Sequence, residues 1–119
     1  MGANVFAGGK ALDSAVIKTF ENRSRLYSNK TDPASINQKK LADLVLHEPH
    51  LIVQNLKTIK TPVLIIGGEN DIVKKEHTQF IHNNISNSQL NIIEGADHYA
   101  PLKDSKKFNK LIVNYFQNL

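Results

Sequence analysis

The sequence predicts an α/β fold with a short parallel sheet of about two to three strands and flanking helices. Two runs of branched apolar residues, 62–66 and 89–93, have the length and the β-branched content of strands. Each run leads into a glycine-containing turn that also carries acidic and basic residues. A helical pattern lies between the two runs, which indicates a right-handed crossover and therefore a parallel pair of strands.

The first half of the chain predicts helices separated by turns. Six residues, most of them apolar, recur at helical spacing over 11–27 and predict a helix. Asp13 and Ser14 are candidate caps for this helix. The members of this pattern are Leu12, Ala15, Val16, Thr19, Phe20 and Arg23. A turn cluster over 28–33 then ends the helix.

A second helix is expected over 34–47, with Asp32 as its N-cap and Pro33 at its first position. We expect this helix to bury Leu41, Leu44 and Val45. Glu48-Pro49 ends it, and a short third helix is expected over 51–56.

The second half alternates strands and helices. The crossover helix is predicted over 74–85, with Phe80, Ile81 and Ile85 on one side. A final helix is capped by Asp104 or Ser105. It carries an apolar stripe that should face the sheet, formed by Phe108, Leu111, Ile112, Tyr115 and Phe116.

Composition excludes several classes of protein. A chain of 119 residues with 40% hydrophobic and 22% charged residues predicts one folded domain rather than a disordered chain. The net charge of +4 comes from scattered lysines without interleaved aromatics, which argues against nucleic-acid binding. The chain has no cysteine, and it has no signal-like start or apolar run of membrane-spanning length. A cytoplasmic location without membrane association is the expectation.

Two residues are candidates for catalysis, one after each predicted strand. Asp71 lies in Gly67-Gly68-Glu69-Asn70-Asp71, and His98 ends the sequence 94–98, Glu-Gly-Ala-Asp-His. Reacting groups of open α/β sheets lie just outside the carboxyl ends of the strands. A carboxylate followed in the chain by a histidine suits nucleophilic hydrolysis, in which the imidazole is the base and the carboxylate holds it. Alone, either residue is better explained as a helix cap or a surface turn residue.

The same residues carry a family resemblance. The segment 56–71, the segment 89–98 and the final helix resemble the C-terminal part of an α/β-hydrolase, a serine hydrolase superfamily. Met1-Gly2-Ala3-Asn4 is similar to the end of the strand that follows the nucleophile helix in that family. The resemblance implies a helical cap or linker over 1–56 and a C-terminal β-α-β-α unit over 57–119. It also implies Asp71 and His98 as catalytic residues and requires no cofactor.

One feature of the family pattern is missing. The nucleophile of an α/β-hydrolase sits in a Gly-x-Ser-x-Gly elbow, and the 119 residues contain no such motif. Ser14, Ser24, Ser28 and Ser35 precede Asp71 but fit helix or turn positions, and Gly8-Gly9 is better explained as a turn than as an oxyanion loop. We therefore expect the chain to be nearly inactive alone.

Other clusters are weaker candidates. His47-Glu48-Pro49-His50 resembles a ligand group, but the proline breaks the helix that would align two ligands, so no metal is expected. His77 and His82 are expected to be solvent-exposed. Asp97 could compete with Asp71 as the partner of His98, and Tyr99 and Pro101 are expected to shape the loop around His98.

Two functional classes follow from these observations. The first is part of a serine hydrolase that acts on an ester, amide or similar acyl bond of a small molecule once a nucleophile is supplied. The second is a non-catalytic association module that uses the same fold. The expected partners are a second copy of the chain, forming a homodimer, or a complementing N-terminal half, because the strand over 63–66 would otherwise expose an apolar edge.

Overall fold

The structure is a computed structural model that describes residues 11–119. The chain divides into two compact units, with the boundary between Val53 and Gln54. The cap or linker role predicted for residues 1–56 stays a prediction. The predicted assignments of Met1–Asn4 and of Gly8-Gly9 lie outside the described residues.

The first unit contains helices α1 (Ser14–Tyr27) and α2 (Pro33–His47). The short helix α3 (Val53–Lys57) begins at the last residue of this unit and continues in the second. The predicted cap of α2 is confirmed, because the carboxylate of Asp32 accepts a hydrogen bond from the amide of Ser35 at 2.9 Å. Hydrogen bonding from the Ser35 side chain, and then the bond from the Ser35 amide, lower the pKa of Asp32. Asp13 occupies the N-cap position of α1, but its side chain makes no capping hydrogen bond.

Helices α1 and α2 pack against each other, and a polar contact joins them. The hydroxyl of Ser24 donates to Asp43 at 2.6 Å, and Lys39 forms an ion pair with the same carboxylate. Ala42 beside this contact is fully buried, which is consistent with close approach of the two helices.

The expectation that α2 buries its leucines is wrong. Leu41 and Leu44 are 55% and 57% exposed, and Val45 is half-buried. The face of α2 that carries Lys39, Ala42 and Asp43 packs inward, so the two leucines lie outside it. Leu41 and Leu44 therefore do not mark the buried face of this helix.

The second unit contains the predicted α/β arrangement. Strands β1 (Val63–Gly68) and β2 (Ser88–Ile93) are parallel, with Val63 opposite Ser88 and Gly68 opposite Ile93. Helix α4 (Lys75–Asn84) connects them. The prediction of a short parallel sheet with flanking helices is thus confirmed, and the sheet has two strands within residues 11–119.

The buried face of α4 differs from the prediction. His77 and Thr78 are buried, as is Ile85 just after the helix, whereas Phe80 is 36% exposed. The side chain of Thr78 lies over Gly67 of β1, where the absence of a side chain leaves room for it. The expected exposure of His77 is therefore wrong, and burial together with the charge of Lys74 lowers its pKa.

His82 also has a structural contact. Its Nδ1 atom lies 2.8 Å from the hydroxyl of Ser88, the first residue of β2. This hydroxyl also donates toward the carbonyl oxygen of Ile85 at 2.8 Å. These bonds tie the end of α4 to the start of β2.

The unit ends with the short helix α5 (Ala100–Lys103) and helix α6 (Ser105–Gln117). Asp104 caps α6 by accepting a hydrogen bond from the amide of Lys107 at 3.2 Å. Four members of the predicted stripe are half-buried, and Phe116 is 67% exposed. Within residues 11–119, none of the helices is both long and apolar enough to cross a membrane.

Candidate active site

The site lies at the edge of the sheet where both strands end. The last residues of the two strands, Gly68 and Ile93, are opposite each other in the parallel register. The turns that follow them therefore begin side by side. The first turn carries Asp71 and the second carries His98.

The side chains of Asp71 and His98 are in contact. Nδ1 of His98 lies 2.9 Å from Oδ1 of Asp71. An ionised carboxylate is only an acceptor, so the imidazole donates this hydrogen bond and carries a proton on Nδ1. The Asp71 side chain is 13% exposed and the His98 side chain is 50% exposed. The carboxylate is thus largely shielded while the imidazole remains accessible.

Two backbone amides orient the Asp71 carboxylate. The amide of Val73 donates to Oδ1 at 3.0 Å, and the amide of Gly68 donates to Oδ2 at 3.4 Å. The bond from Val73 closes an Asx turn, a local contact that is a common structural role of Asp. In this chain the same oxygen also accepts from His98, so the turn and the pair occur together.

The two turns are joined through their backbones. The amide of Glu69 donates to the carbonyl oxygen of Ile93 at 3.0 Å, and the amide of Asn70 donates to that of Ala96 at 2.8 Å. A Cβ atom at Gly68 would overlap the backbone of Ala96. Glycine at this position therefore permits the close approach of the two turns.

A side chain forms a further link between the turns. Oε2 of Glu69 accepts a hydrogen bond from the amide of Gly95 at 2.9 Å. Gly95 has a positive φ of 68°, a conformation that glycine adopts without steric cost. The role of Glu69 was not predicted from the sequence, which gives no local signal for a bond across 26 residues.

Asp97 does not partner His98. Its Oδ1 accepts a hydrogen bond from the amide of Tyr99 at 2.9 Å, and its other oxygen forms an ion pair with Lys103. The bond to Lys103 and then the bond from the Tyr99 amide hold the pKa of Asp97 below its ordinary value. The structure therefore brings Asp71, and not Asp97, to the imidazole.

The loop around His98 borders a small cavity. The ring of Tyr99 packs edge-on to the His98 ring, with 6.1 Å between centroids. A cavity of about 200 Å³ lies beside the acid and the histidine. Its lining consists of Ile66, Gly67, Gly68, Asp71, Asp97, His98, Ala100, Pro101 and Phe108.

The remaining candidates from the sequence do not join this pair of residues. His50 and Glu48 contact each other at 3.1 Å, and within residues 11–119 there is no group of three ligands that could hold a metal ion. Ser14, Ser24 and Ser35 are helical, and Ser28 follows the end of α1. Within residues 11–119, none of the four serines follows a strand.

Comparisons with known proteins identify hydrolases that are similar to this chain. No protein-family model matches the chain. Human Serine hydrolase BPHL is 33% identical over 63 residues, which are 52% of this chain and 22% of that protein. An α/β-hydrolase enzyme from the metagenome of lagoon sediments at Mar Chica, Morocco, is 25% identical, with a TM-score of 0.60 over 71% of this chain and 41% of that chain.

A third comparison covers more of the chain. The esterase RhEst1 from Rhodococcus has a TM-score of 0.64 and 14% identity over 94% of this chain and 50% of that chain. At this identity the similarity concerns the fold alone. The chain spans between 22% and 50% of the length of these three proteins.

Proposed function

We propose, for a chain that forms part of an α/β-hydrolase fold, that Asp71 and His98 are the acid and the base of a serine-hydrolase triad. The proposed reaction is hydrolysis of an ester, amide or similar acyl bond in a small molecule. The observation that carries this proposal is the 2.9 Å contact between the two side chains at the carboxyl edge of the parallel sheet.

The geometry suits the two chemical roles. Asp71 accepts a hydrogen bond from the protonated Nδ1 of His98, which leaves Nε2 as the nitrogen that can take a proton from a nucleophile. The carboxylate also stabilises the imidazolium that forms when Nε2 is protonated. The half-exposed ring is accessible to a reacting group, while the carboxylate is held by the amides of Val73 and Gly68.

The nucleophile must come from residues other than these 119, because they contain no Gly-x-Ser-x-Gly elbow. The isolated chain is therefore proposed to be nearly inactive. Neither a cofactor nor a metal has a part in the proposed reaction, which needs only a nucleophile, a base and an acid. A cytoplasmic location, and the lack of nucleic-acid and membrane partners, stay predictions.

A fusion tests the catalytic proposal. The C-terminal part of an α/β-hydrolase that contains a Gly-x-Ser-x-Gly elbow would be replaced by this chain, and hydrolysis of an activated ester would be measured. We expect turnover with Asp71 and His98 present, and a loss of at least about a hundredfold in Asp71→Asn and His98→Ala. Equal turnover in all three fusions, or no turnover by a cooperatively folded fusion, would contradict the proposal.

A second candidate function is association without catalysis. The strand residues Val63, Leu64, Ile65 and Ile66 are only half-buried, although the strands of a parallel sheet are normally covered on both faces. Leu41 and Leu44 are also exposed. We propose that a second copy of the chain covers β1 in a homodimer; a complementing N-terminal half is the alternative partner.

A further inference from the structure

Asp97 precedes the histidine of the proposed site, and its carboxylate binds two groups that flank that histidine. We propose that Asp97 and Lys103 are positioning residues, which fix the backbone of His98 so that its imidazole faces Asp71. This inference rests on the proposed function, because the orientation of the ring affects a reaction only if His98 is the base.

The first step concerns the backbone. Oδ1 of Asp97 accepts a hydrogen bond from the amide of Tyr99 at 2.9 Å, so His98 is the central residue of an Asx turn. The carbonyl oxygen of Asp97 also accepts from the amide of Ala100 at 3.1 Å. The two bonds close the chain around His98 and restrict its backbone angles, which set the direction of its side chain.

The second step concerns the side chain that holds Asp97. Lys103, the last residue of α5, forms an ion pair with Oδ2 of Asp97. The same ammonium lies 5.7 Å from the centre of the Tyr99 ring. Lys103 therefore contacts both residues adjacent to His98, and Tyr99 in turn packs edge-on to the imidazole.

The charge state supports this arrangement. The hydrogen bonds from Lys103 and from the Tyr99 amide lower the pKa of Asp97, so its carboxylate is ionised throughout the neutral range. The Lys103 side chain is 66% exposed, and an ion pair at such a position adds little to global stability. We therefore expect the effect of this ion pair to be local, on the turn and on His98.

The contacts of the two carboxylates separate this role from that of the acid. Both carboxylates lie near His98, but the oxygens of Asp97 are occupied by Tyr99 and Lys103, whereas Asp71 accepts from the ring. Removing Asp97 should release the backbone of His98 while leaving the acceptor of the ring in place. Removing Asp71 should have the opposite effect.

Nuclear magnetic resonance of the isolated chain provides the test. In the wild type we expect the His98 ring to carry its proton on Nδ1 and to give one set of ring nitrogen signals. In Asp97→Ala, the amide proton of Tyr99 should exchange about fivefold to tenfold faster, as expected for loss of one hydrogen bond. The ring signals should shift toward those of a free histidine. Asp97→Asn retains an acceptor for the Tyr99 amide and should partly restore both readouts.

A matched pair of lysine variants distinguishes loss of the ion pair from a general folding defect. Lys103→Met removes the ion pair at an exposed position. Lys107→Met removes a charge from another lysine, which together with Asp97 and Lys103 lines a second cavity, separate from the one beside Asp71. We expect Lys103→Met to shift the His98 signals and Lys107→Met to leave them unchanged. Unchanged His98 signals in both Asp97→Ala and Lys103→Met would overturn the proposal, as would equal shifts in the two lysine variants.

Activity of the fused chain gives a second readout. Asp97→Ala in the fusion should lower kcat with little change in KM, because the loosened imidazole affects proton transfer more than substrate binding. A change confined to KM would contradict a positioning role. If no fusion hydrolyses esters, the proposed function fails, while the magnetic-resonance result still decides whether Asp97 and Lys103 orient His98.

Discussion

The imidazole of His98 donates a hydrogen bond to the carboxylate of Asp71 across a separation of 27 residues. Two parallel strands in register produce this contact, because the turns that follow Gly68 and Ile93 start side by side. Hydrogen bonds from backbone amides, one of them to a side chain, join these turns, so the contact between Asp71 and His98 follows from the fold of the β-α-β unit.

The isolated chain is expected to hydrolyse activated esters no faster than its surface histidines do, since it lacks a nucleophile elbow. The measurement compares the purified wild type with His98→Ala in a spectrophotometric ester assay. Enzyme-like turnover by the wild type that is absent from His98→Ala would show that a nucleophile is present within these residues.

Gly68→Ala should destabilise the chain by about 1–3 kcal/mol, because its new Cβ would overlap backbone atoms of Ala96, which cannot move aside as a flexible side chain can. It should also separate Asp71 from His98. Gly67→Ala is the control, since a Cβ there meets only side-chain atoms, Ile92 Cδ1 and Thr78 Cγ2, at 3.4 Å. Its cost should stay below about 1 kcal/mol. Equal urea midpoints for the two variants would refute the proposed close approach.

Acidification should destabilise the fold through His77. Burial and the charge of Lys74 lower the pKa of this histidine from 6.5 in the folded state, so the unfolded chain binds the proton more readily. The stability associated with neutral His77 is present above the unfolded pKa and is lost as the pH falls below it. The urea midpoint of the wild type should therefore fall more between about pH 7.5 and pH 5.5 than that of His77→Gln. The same fall in both proteins would exclude His77 as the source.

The chain is expected to form a homodimer that buries more than about 1,000 Å². Half-buried apolar residues along β1 and exposed leucines on α2 are the surfaces that a second copy would cover. Sedimentation at low micromolar concentration measures the mass of the particle, and amide exchange along Val63–Gly68 reports on the strand. A folded monomer with protected amides in this strand would rule out the dimer.

Local sequence signals were sufficient to predict the two strands and the position of Asp71 and His98 in the turns that follow them. The apolar runs are short and rich in branched residues, and each leads into a glycine-containing turn, so periodicity and turn residues agree. The caps Asp32 and Asp104 were predictable for the same reason, since each precedes a helix and bonds to an amide three residues on. These features depend on neighbours in the chain.

The errors concern contacts made at a distance. Helix α2 carries apolar residues on more than one side, and the bond from Ser24 to Asp43 belongs to the side that packs inward, so Leu41 and Leu44 are exposed. The burial of His77 depends in the same way on which face of α4 lies over the sheet. Periodicity alone cannot decide between faces when the contact includes polar side chains.

Asp97 illustrates a third case. Its position before His98 raised the possibility of a competing acid, and only the fold shows that Lys103 and the Tyr99 amide occupy its oxygens. An Asp that can accept a hydrogen bond from the amide two residues later is a recognisable turn signal. The ion pair between Asp97 and Lys103 cannot be recognised in the sequence, because it depends on the direction in which α5 leaves the turn.

The backbone contact between Gly68 and Ala96 makes the two turns of the site interdependent. Lengthening either turn by one residue would separate the amides of Glu69 and Asn70 in the first turn from the carbonyl oxygens of Ile93 and Ala96 in the second. The acid or the histidine would be displaced with its turn. A designer who grafts this site, or exchanges it with another protein of the same fold, should therefore transfer the segment 67–71 and the segment 93–98 together. Replacing one segment alone would keep Asp71 or His98 in the sequence but would place its turn wrongly relative to the other turn.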